Sequence, residues 1–368
     1  MIGPVYPYRG GIAHYTHYLD QALRNTGNES LVISFRRQYP GWLYPGNSDK
    51  DPSQMVLQTQ AEFILDALNP WTWYKAVHTI VAWKPDLVAI QWWTTFWAIP
   101  FALICRSLRR NGISTAYIVH NVLPHEERLY DKLLAKFALS QGNTFVVHTL
   151  QQKELLLKLI RKACLKLCPF PIYAKFKDEK MPRREARQKL GLPQEQVILL
   201  FFGIVRPYKG LSVLLEALHQ LKMQAVTPYL VIAGEFWEAI ELYKYQINQF
   251  GLNNQVILIN KYIPNEDVVL YFSAADVMVA PYIEGTQSAA AALARGYGLP
   301  LIITEQVAQG MGNINDEEVR VVPTRDPQSL AKAIKTFMES DHSEQTTNSG
   351  NGFDWRDLVE VMIGIARE

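Results

Sequence analysis

Short apolar runs alternate with helical patterns along nearly the whole chain, and this rhythm limits the fold more than any other feature. Amphipathic patterns, such as those over 12–24, 127–139, 211–221 and 328–338, predict the helices. The runs typical of buried strands cover residues 31–34, 86–91, 115–120, 144–148, 197–202, 229–233, 256–259, 276–280 and 300–303. Strands that alternate with helices indicate parallel sheets with helices on both faces, so we expect an α/β fold.

A break near residue 170 divides this pattern into two halves. Pro169 and Pro171 precede a polar, charged run over 175–187, which reads as a linker. A length of 368 residues also favours two domains, predicted over 1–170 and 171–368, with a closing helix over 353–366 that can pack back on the first domain. Two doubly wound, Rossmann-like domains would face each other across a cleft, where ligands meet the carboxyl ends of strands.

Three segments of the first half are less regular. Only Met1 and Ile2 precede the loop at Gly3, so the central first strand looks truncated, and we expect an apolar hexamer upstream of the present start. Residues 35–60 are aromatic and basic, as in a functional loop. Residues 61–83 are predicted to be largely helical, with a break at Asn69.

Composition excludes several classes of protein. A hydrophobic content of 48%, a charged content of 20% and a net charge of +2 fit an ordinary globular chain and give no case for nucleic acid. Cys105, Cys164 and Cys168 form no CxxC pair, so neither a disulfide framework nor a zinc site is indicated, and a reducing compartment is expected. Residues 87–105 are apolar but interrupted, which favours strand, loop and helix over a membrane span.

The segment FFGIVRPYKG, residues 201–210, carries the first chemical signal. Arg206 and Lys209 stand in a glycine loop after the strand over 197–202 and directly before a helix. Two cations and the N–H groups at a helix start suit a diphosphate. A solvated loop between strand and helix is the alternative.

A second segment, residues 280–291, repeats this arrangement. It places Glu284, Gln287 and Ser288 between a strand end and a helix of small residues. These side chains could bind sugar hydroxyls beside N–H groups at the helix start. The alternative is an ordinary helix start capped by Thr286 or Ser288.

Together the segments resemble glycosyltransferase family 4, whose members are retaining enzymes of the GT-B fold. The resemblance covers nearly the whole chain and keeps the order and spacing of its motifs. It also includes the segments PYRGGIA (7–13), VHN (119–121), AGE (233–235), YIPNE (262–266) and SAAD (273–276).

The resemblance implies a role for each matching residue. Arg206 and Lys209 would hold the donor diphosphate and stabilise the leaving group, with Gly203 in the same loop. Gly10 and Gly11 would bring backbone N–H groups close to the phosphate or the transferred sugar.

The remaining roles concern the sugar and the nucleotide. His120 would contact the donor sugar, and Glu284 would bind its hydroxyls. Ile263 marks the strand end where the base would stack on backbone, and Gln287 and Ser288 would assist at the ribose.

One departure from the family pattern affects the ribose. The second Glu that the family usually places eight residues after the first is here Ala292, followed by Leu293. A subset of the family with a Thr-Gln-Ser stretch at this turn also lacks it. From the resemblance we expect an enzyme that transfers a sugar from a nucleotide-sugar donor to a glycan or lipid-linked glycan, in cell-envelope polysaccharide biosynthesis. We expect it to be cytoplasmic, to work without a metal ion, and to need no cofactor besides the donor. The alternatives are a non-catalytic nucleotide-sugar-binding partner and another GT-B enzyme, such as an epimerase.

For some residues the sequence leaves both a functional and a structural role open. His125 and Glu126 could contact the acceptor or lie in a solvated loop, and His148 reads as a structural histidine. A basic, apolar pattern over 155–167 reads as a helix that could lie peripherally on the inner face of a membrane, although a solvated helix face explains it too. A tryptophan group could serve as core or as an acceptor platform; it comprises Trp71, Trp73, Trp92, Trp93 and Trp97.

Overall fold

The computed structural model describes residues 1–44, 46, 48–124, 127–173, 179–285, 287–312, 314, 319–340 and 353–368. These residues divide into two compact units. The first unit comprises Met1–Asp51, Val56–Pro169 and Phe353–Glu368. The second comprises Pro52–Met55 and the described part of residues 170–352. Each unit is built on parallel strands with helices packed against them.

The first unit carries six strands and six helices among its described residues. Its strands are β1 (Val32–Arg37), β2 (Ala61–Asp66), β3 (Leu87–Trp92), β4 (Ser114–Val119), β5 (Thr144–Val147) and β6 (Cys164–Leu167). Its helices are α1 (Gly11–Asn25), α2 (Pro70–Trp83), α3 (Ala98–Arg110), α4 (Asp131–Leu139), α5 (Leu150–Leu159) and α13 (Trp355–Arg367). β1 pairs with β2, while β3 to β6 pair in chain order. α13 packs on α1, where the rings of Tyr15 and Trp355 meet at 5.0 Å.

Ile2 joins the two groups of strands in this unit. It forms single parallel bridges with Ile33 of β1 and Ile90 of β3. The N–H of Ile2 donates to Ala89 O at 2.8 Å, and the N–H of Gln91 donates to Ile2 O at 2.9 Å. Ile2 therefore stands at the place where the sequence pattern puts the first strand, in the middle of the sheet.

The second unit carries a sheet of six parallel strands in its described part. They are β7 (Ile198–Phe202), β8 (Tyr229–Ala233), β9 (Val256–Ile259), β10 (Val277–Ala280), β11 (Leu301–Thr304) and β12 (Val319–Val322). The helices are α6 (Arg183–Leu190), α7 (Leu211–Met223), α8 (Ile240–Gln249), α9 (Asn265–Ala274), α10 (Ala289–Gly296), α11 (Glu305–Ala308) and α12 (Pro327–Glu339).

The strand order β12-β11-β10-β7-β8-β9 reverses between β7 and β10. The chain leaves β7 towards one edge of the sheet and leaves β10 towards the other. Such a reversal opens a crevice at the carboxyl ends of the two central strands. Apolar side chains cover both faces of β7: Leu199 and Phe201 face the cluster of α7 and α12, and Leu200 faces that of α9 and α10. This burial explains the continuous apolar run in the sequence.

Three predicted elements of the sequence analysis are wrong. Residues 61–66 form strand β2, because they pair with β1, and the helix starts only after Asn69, which caps α2 by accepting the N–H of Trp71. The predicted helix over 155–167 ends with α5 at Leu159, and Cys164–Leu167 forms β6 beside β5. The charged run read as a linker contains α6. That helix is fixed by Arg187, which is buried and bonds Asp276 at 2.6 Å.

No described helix is both long and apolar enough to cross a membrane.

Candidate functional site

The loop after β7 is shaped by two glycines in the left-handed region. Gly203 has φ 97° and donates its N–H to Ala233 O at 2.9 Å, which ends the strand. A single 3₁₀ turn, Pro207–Lys209, follows, and Gly210 at φ 70° leads into α7. Both backbone conformations favour glycine, because other residues bring Cβ into a steric clash there.

This loop lies directly against the segment after β10. A Cβ atom on Gly210 would lie only 2.0 Å from the carbonyl oxygen of Pro281, so the two backbones touch. The carbonyl of Tyr208 accepts the N–H of Ile283 at 2.8 Å and that of Glu284 at 3.3 Å. The predicted diphosphate loop and the predicted sugar-binding loop are therefore one rigid assembly at the strand-order reversal.

Lys209 is half-buried above the first glycine of the loop. A Cβ atom on Gly203 would lie 3.3 Å from its Nζ, and the ring of Tyr282 has its centroid 5.4 Å from the same nitrogen. Burial lowers the pKa of Lys209, the charge of Arg206 lowers it further, and Tyr208 offsets part of the shift. Within the part of the chain that the structure describes, this ammonium meets no carboxylate within ion-pair distance. A bound anion would stabilise its protonated form.

Arg206 precedes the 3₁₀ turn in extended conformation. Its guanidinium carbon lies 5.4 Å from the ring centroid of Trp237, in the loop after β8. Backbone bonds hold these loops together, since Val205 donates to Glu235 O at 2.8 Å and Trp237 donates to Val205 O at 3.1 Å. The two cations thus flank the end of β7, each beside an aromatic ring.

The segment after β10 is anchored by Tyr282. Its hydroxyl and that of Ser288 are 3.1 Å apart, and Thr304 donates to its carbonyl at 2.7 Å. Burial raises the pKa of Tyr282 to about 12, so the phenol is neutral. Ser288 accepts the N–H of Ala291 at 3.1 Å and so caps α10, which is the structural alternative considered for this residue.

The other predicted groups of this segment differ in their exposure and in their partners. Glu284 is exposed and faces Arg325, whose Nη2 lies 3.6 Å from its Oε1. Gln287 is half-buried, and its Nε2 has no hydrogen-bond partner among the residues described. Thr286 lies outside those residues. Ala292 is buried on α10, so no carboxylate occupies the place of the second Glu.

Ile263, the marker of the base site, lies four residues beyond the end of β9. Its side chain is buried in the core with Tyr271 and Phe272. At Ile263 itself the side chain is therefore withdrawn into the core, and the role of this residue at a base site stays a prediction.

In the first unit, Gly10 begins α1. It has φ 102°, and a Cβ atom placed on it would meet no described atom within 4 Å. The carbonyl of Gly10 accepts the N–H groups of Ala13 at 3.0 Å and His14 at 3.2 Å, so the N–H groups of Gly11 and Ile12 precede the first hydrogen bonds of the helix. Both the glycine pair and the first turn of α1 fit the close approach of an anion.

His120 follows β4 in a buried polar cluster of the same unit. Its Nε2 lies 2.6 Å from Gln91 Oε1, and its ring meets Tyr15 edge-on at 4.7 Å. Burial lowers the pKa of His120 well below its usual value, and the neighbouring His148 adds to the effect. The imidazole is therefore neutral at pH 7, a state that can donate or accept a hydrogen bond but carries no charge.

His148 is held as a structural histidine. Its Nδ1 lies 2.9 Å from the carbonyl oxygen of Cys168 and therefore donates, so Nε2 accepts from the hydroxyl of Tyr15 at 3.2 Å. Burial lowers the pKa of His148 to about 4. The ring positions Tyr15, which in turn packs on His120.

Two features were not predicted as parts of a site. Gln91 is fully buried in β3 and binds His120; Gly3 makes room for it, since a Cβ there would lie 2.6 Å from Gln91 Cγ. A glutamine inside an apolar strand was the available signal. A groove of about 770 Å³ runs along α1 and contains none of the predicted residues; its lining includes Tyr6, His17, Asp20, Gln21, Arg24 and Phe63.

The tryptophan group serves mainly the core. Trp92 and Trp97 are fully buried, and the indole N–H of Trp93 donates to the Tyr39 hydroxyl at 2.8 Å. Trp71 is 80% exposed on α2. His125 and Glu126 lie outside the described residues. Across the described ranges, His, Cys, Asp and Glu side chains form no group of three that could hold a metal ion.

Residues 182–351 match the family described as glycosyl transferases group 1. The matched range lies within the second unit and spans a little under half of the chain. It contains the β7 and β10 loops, Arg206, Lys209 and Glu284, so the chemical segments lie inside the matched range.

Two curated relatives are similar to part of this chain. The chain is 32% identical over 174 residues to the D-rhamnosyltransferase WbpZ of Pseudomonas aeruginosa, covering 46% of this chain and 42% of the relative. It is 26% identical over 209 residues to the D-inositol 3-phosphate glycosyltransferase of Nocardioides sp., covering 50% of this chain and 44% of the relative. The chain thus spans less than half the length of these curated relatives.

A structural likeness extends over nearly the whole chain. The crystal structure of Anabaena Alr3699/HepE in complex with UDP and glucose matches with a TM-score of 0.73 at 15% identity, over 99% of this chain and 98% of that chain. At this identity the likeness shows the fold alone. The GT-B fold predicted from the sequence is confirmed.

Proposed function

We propose that this chain is a retaining glycosyltransferase that moves a sugar from a nucleotide-diphosphate donor to a glycan or lipid-linked glycan. The observation that carries the proposal is the half-buried ammonium of Lys209 beside Gly203, at the point where β7 and β10 end side by side. Arg206 lies in the same loop. A crevice at a strand-order reversal is where open α/β sheets bind ligands.

The positive charge of the loop after β7 fits a diphosphate leaving group. When the bond to the sugar breaks, negative charge grows on the diphosphate, and fixed cations in a poorly hydrated site stabilise it strongly. Lys209 is half-buried and has therefore already lost part of its hydration, which lowers its pKa. We propose that Arg206 and Lys209 supply the positive charge that a divalent cation supplies in metal-dependent transferases.

The proposed reaction needs no enzyme nucleophile. The bond between the anomeric carbon and the diphosphate oxygen breaks, and the acceptor hydroxyl oxygen bonds the same face of that carbon. The acceptor proton passes to an oxygen of the departing diphosphate. Glu284, in the middle of the loop after β10, would bind hydroxyls of the transferred sugar, and its backbone N–H donates to the carbonyl of Tyr208.

Known relatives support the class of donor. One fold relative was solved with UDP and glucose, and the two curated relatives are named D-rhamnosyltransferase and D-inositol 3-phosphate glycosyltransferase. We propose a nucleotide-sugar donor for this chain on the same grounds, together with the two cations of the β7 loop.

The test begins with binding. UDP, GDP and ADP are compared for thermal stabilisation of the purified chain, since a ligand at 100 times its Kd stabilises by about 2.7 kcal/mol. The stabilising nucleotide then identifies donors for an assay of nucleoside diphosphate release. Lys209→Ala should lower release about 10²- to 10³-fold. Lys244→Ala, which removes an exposed lysine of the same unit, is the matched control and should leave release unchanged.

A non-catalytic nucleotide-sugar-binding protein is the second candidate. It is favoured by buried Ala292, which leaves no carboxylate at the usual ribose position. Stabilisation by a nucleoside diphosphate that Lys209→Ala removes, without turnover of any donor tested, would establish this alternative. Turnover that survives in Lys209→Ala would reject the proposed phosphate site in both candidates.

A further inference from the structure

Helices α2, α3 and α4 form one layer on a single face of the first unit's sheet. The connections β2–α2–β3, β3–α3–β4 and β4–α4–β5 all advance in the same direction across the strands. Right-handed crossovers that advance in one direction place their helices on the same face. α2 packs on α3 and α3 packs on α4, so their outer sides form one continuous surface. We call it the α2–α4 surface.

Large apolar side chains stand out from all three helices. Trp71 and Tyr74 project from α2, Ile99 and Leu103 from α3, and Leu133 and Phe137 from α4; each pair is spaced three or four residues apart. Trp71 is 80% exposed and Leu133 is 72% exposed. Spacing of three or four residues puts each pair on one side of its helix, away from the core. Exposed apolar residues in such number mark an interaction surface.

The charges of the same surface have one sign. Lys75, Arg106, Arg109, Arg110, Lys132 and Lys136 are all exposed. The single acidic residue within the three helices is Asp131, which is buried and accepts from the Thr95 hydroxyl and the Arg128 N–H. Just before α4, Glu127 pairs with Lys132 at 3.0 Å. The outer side of the layer therefore combines apolar anchors with an excess of cations.

We propose that the α2–α4 surface docks on a bilayer that contains anionic lipids. Tryptophan and tyrosine favour the boundary between headgroups and acyl chains, and the aliphatic side chains gain by burial there. Lysine and arginine are attracted to anionic headgroups, and the lack of exposed acidic side chains on the three helices removes repulsion. A nucleic acid would use the cations but leave the leucine and phenylalanine side chains in water. The sequence analysis considered a peripheral contact for residues 155–167, which are not one helix, and the present proposal places it on this layer instead.

The test is co-sedimentation of the full chain with vesicles of phosphatidylcholine alone or with 30 mole per cent phosphatidylglycerol. We expect binding to the anionic vesicles, weak binding to neutral ones, and release by high salt. The double substitution Arg106→Gln and Arg110→Gln should reduce the partition coefficient roughly 25-fold, since each cation contributes about fivefold. Leu103→Ser with Leu133→Ser should reduce it as well, because both side chains would enter the bilayer surface.

A matched control is Lys244→Gln with Lys332→Gln, which removes two exposed cations of the second unit and should not change binding. Thermal unfolding of every variant checks that the fold is intact. No binding to anionic vesicles, or equal binding by the Arg106 and Arg110 variant, would overturn the proposal. So would equal binding to neutral vesicles. The readout is sedimentation, so it is independent of donor turnover and of the proposed function.

Discussion

Gly210→Ala tests whether close contact between the β7 and β10 loops builds the donor site. Gly210 has φ 70°, and a Cβ atom there would lie 2.0 Å from the carbonyl oxygen of Pro281. Positive φ costs an alanine about 1 kcal/mol. The collision with backbone adds about 1–3 kcal/mol, as overpacking does in cores. Because a carbonyl cannot rotate away like a side chain, the Pro281 segment must shift by about 1 Å, and a misplacement of this size can lower turnover about 100-fold.

Gly191→Ala is the matched control for this experiment. Gly191 ends α6 in the same unit at φ 64°, but a Cβ there would meet no described atom within 4 Å. Gly191→Ala therefore introduces the backbone strain without the collision. A strain of about 1 kcal/mol should lower the Tm by about 2–4 °C. Differential scanning calorimetry compares the two variants, and nucleoside diphosphate release measures the site. Equal losses of Tm in both variants, with turnover retained in Gly210→Ala, would refute the reasoning.

The remaining predictions concern stability. Since burial holds the pKa of His148 at about 4, against 6.5 in the unfolded chain, its neutral form is favoured by folding. The free energy of unfolding should therefore lose nothing to this histidine above pH 6.5, and should fall by about 3 kcal/mol between pH 6.5 and 4. Urea unfolding at several pH values measures this dependence, which should be weaker in His148→Gln. An unchanged pH dependence in that variant would exclude His148 as its source. Arg187→Ala should lower the free energy of unfolding by about 3 kcal/mol, because it removes the buried guanidinium that pairs with Asp276. Arg184→Ala on the same helix should cost almost nothing, because that side chain is 87% exposed; equal losses in the same urea assay would contradict the role of burial.

The second unit was the easier half to predict from sequence. Its central strands lie between two layers of helices, so β7 and β10 appear as continuous apolar runs followed by glycine or proline. The two loops were predicted as chemical segments because Arg206 and Lys209 in the first, and Glu284 in the second, interrupt the apolar pattern after a strand. Their contact with the β10 loop could not be predicted, since it depends on Gly210 touching Pro281, about 70 residues away in the chain.

The misjudged segments share a physical cause. β2 and β6 lie at sheet edges and are partly exposed, so their sequences lack the apolar run that marks a central strand. Helix α6 is strongly charged, and what fixes it is the bond from Arg187 to Asp276, which no local pattern contains. The link between Gln91 and His120 is similar, because two strands must first pair before the two side chains meet. Contacts that depend on pairing distant segments are invisible to local periodicity.

The burial of Lys209 also bears on selectivity. An ammonium group that has lost water has a higher free energy than a hydrated one, and for this reason burial lowers the pKa of Lys209. The protein without ligand carries this unfavourable free energy. A neutral ligand would remove more water without compensation, whereas a diphosphate returns the lost electrostatic stabilisation. The same atom therefore favours anions and disfavours uncharged sugars at this position. Because the 3₁₀ turn and Gly203 position the lysine without a ligand, the proposed reaction would need little reorganisation when charge grows on the departing diphosphate.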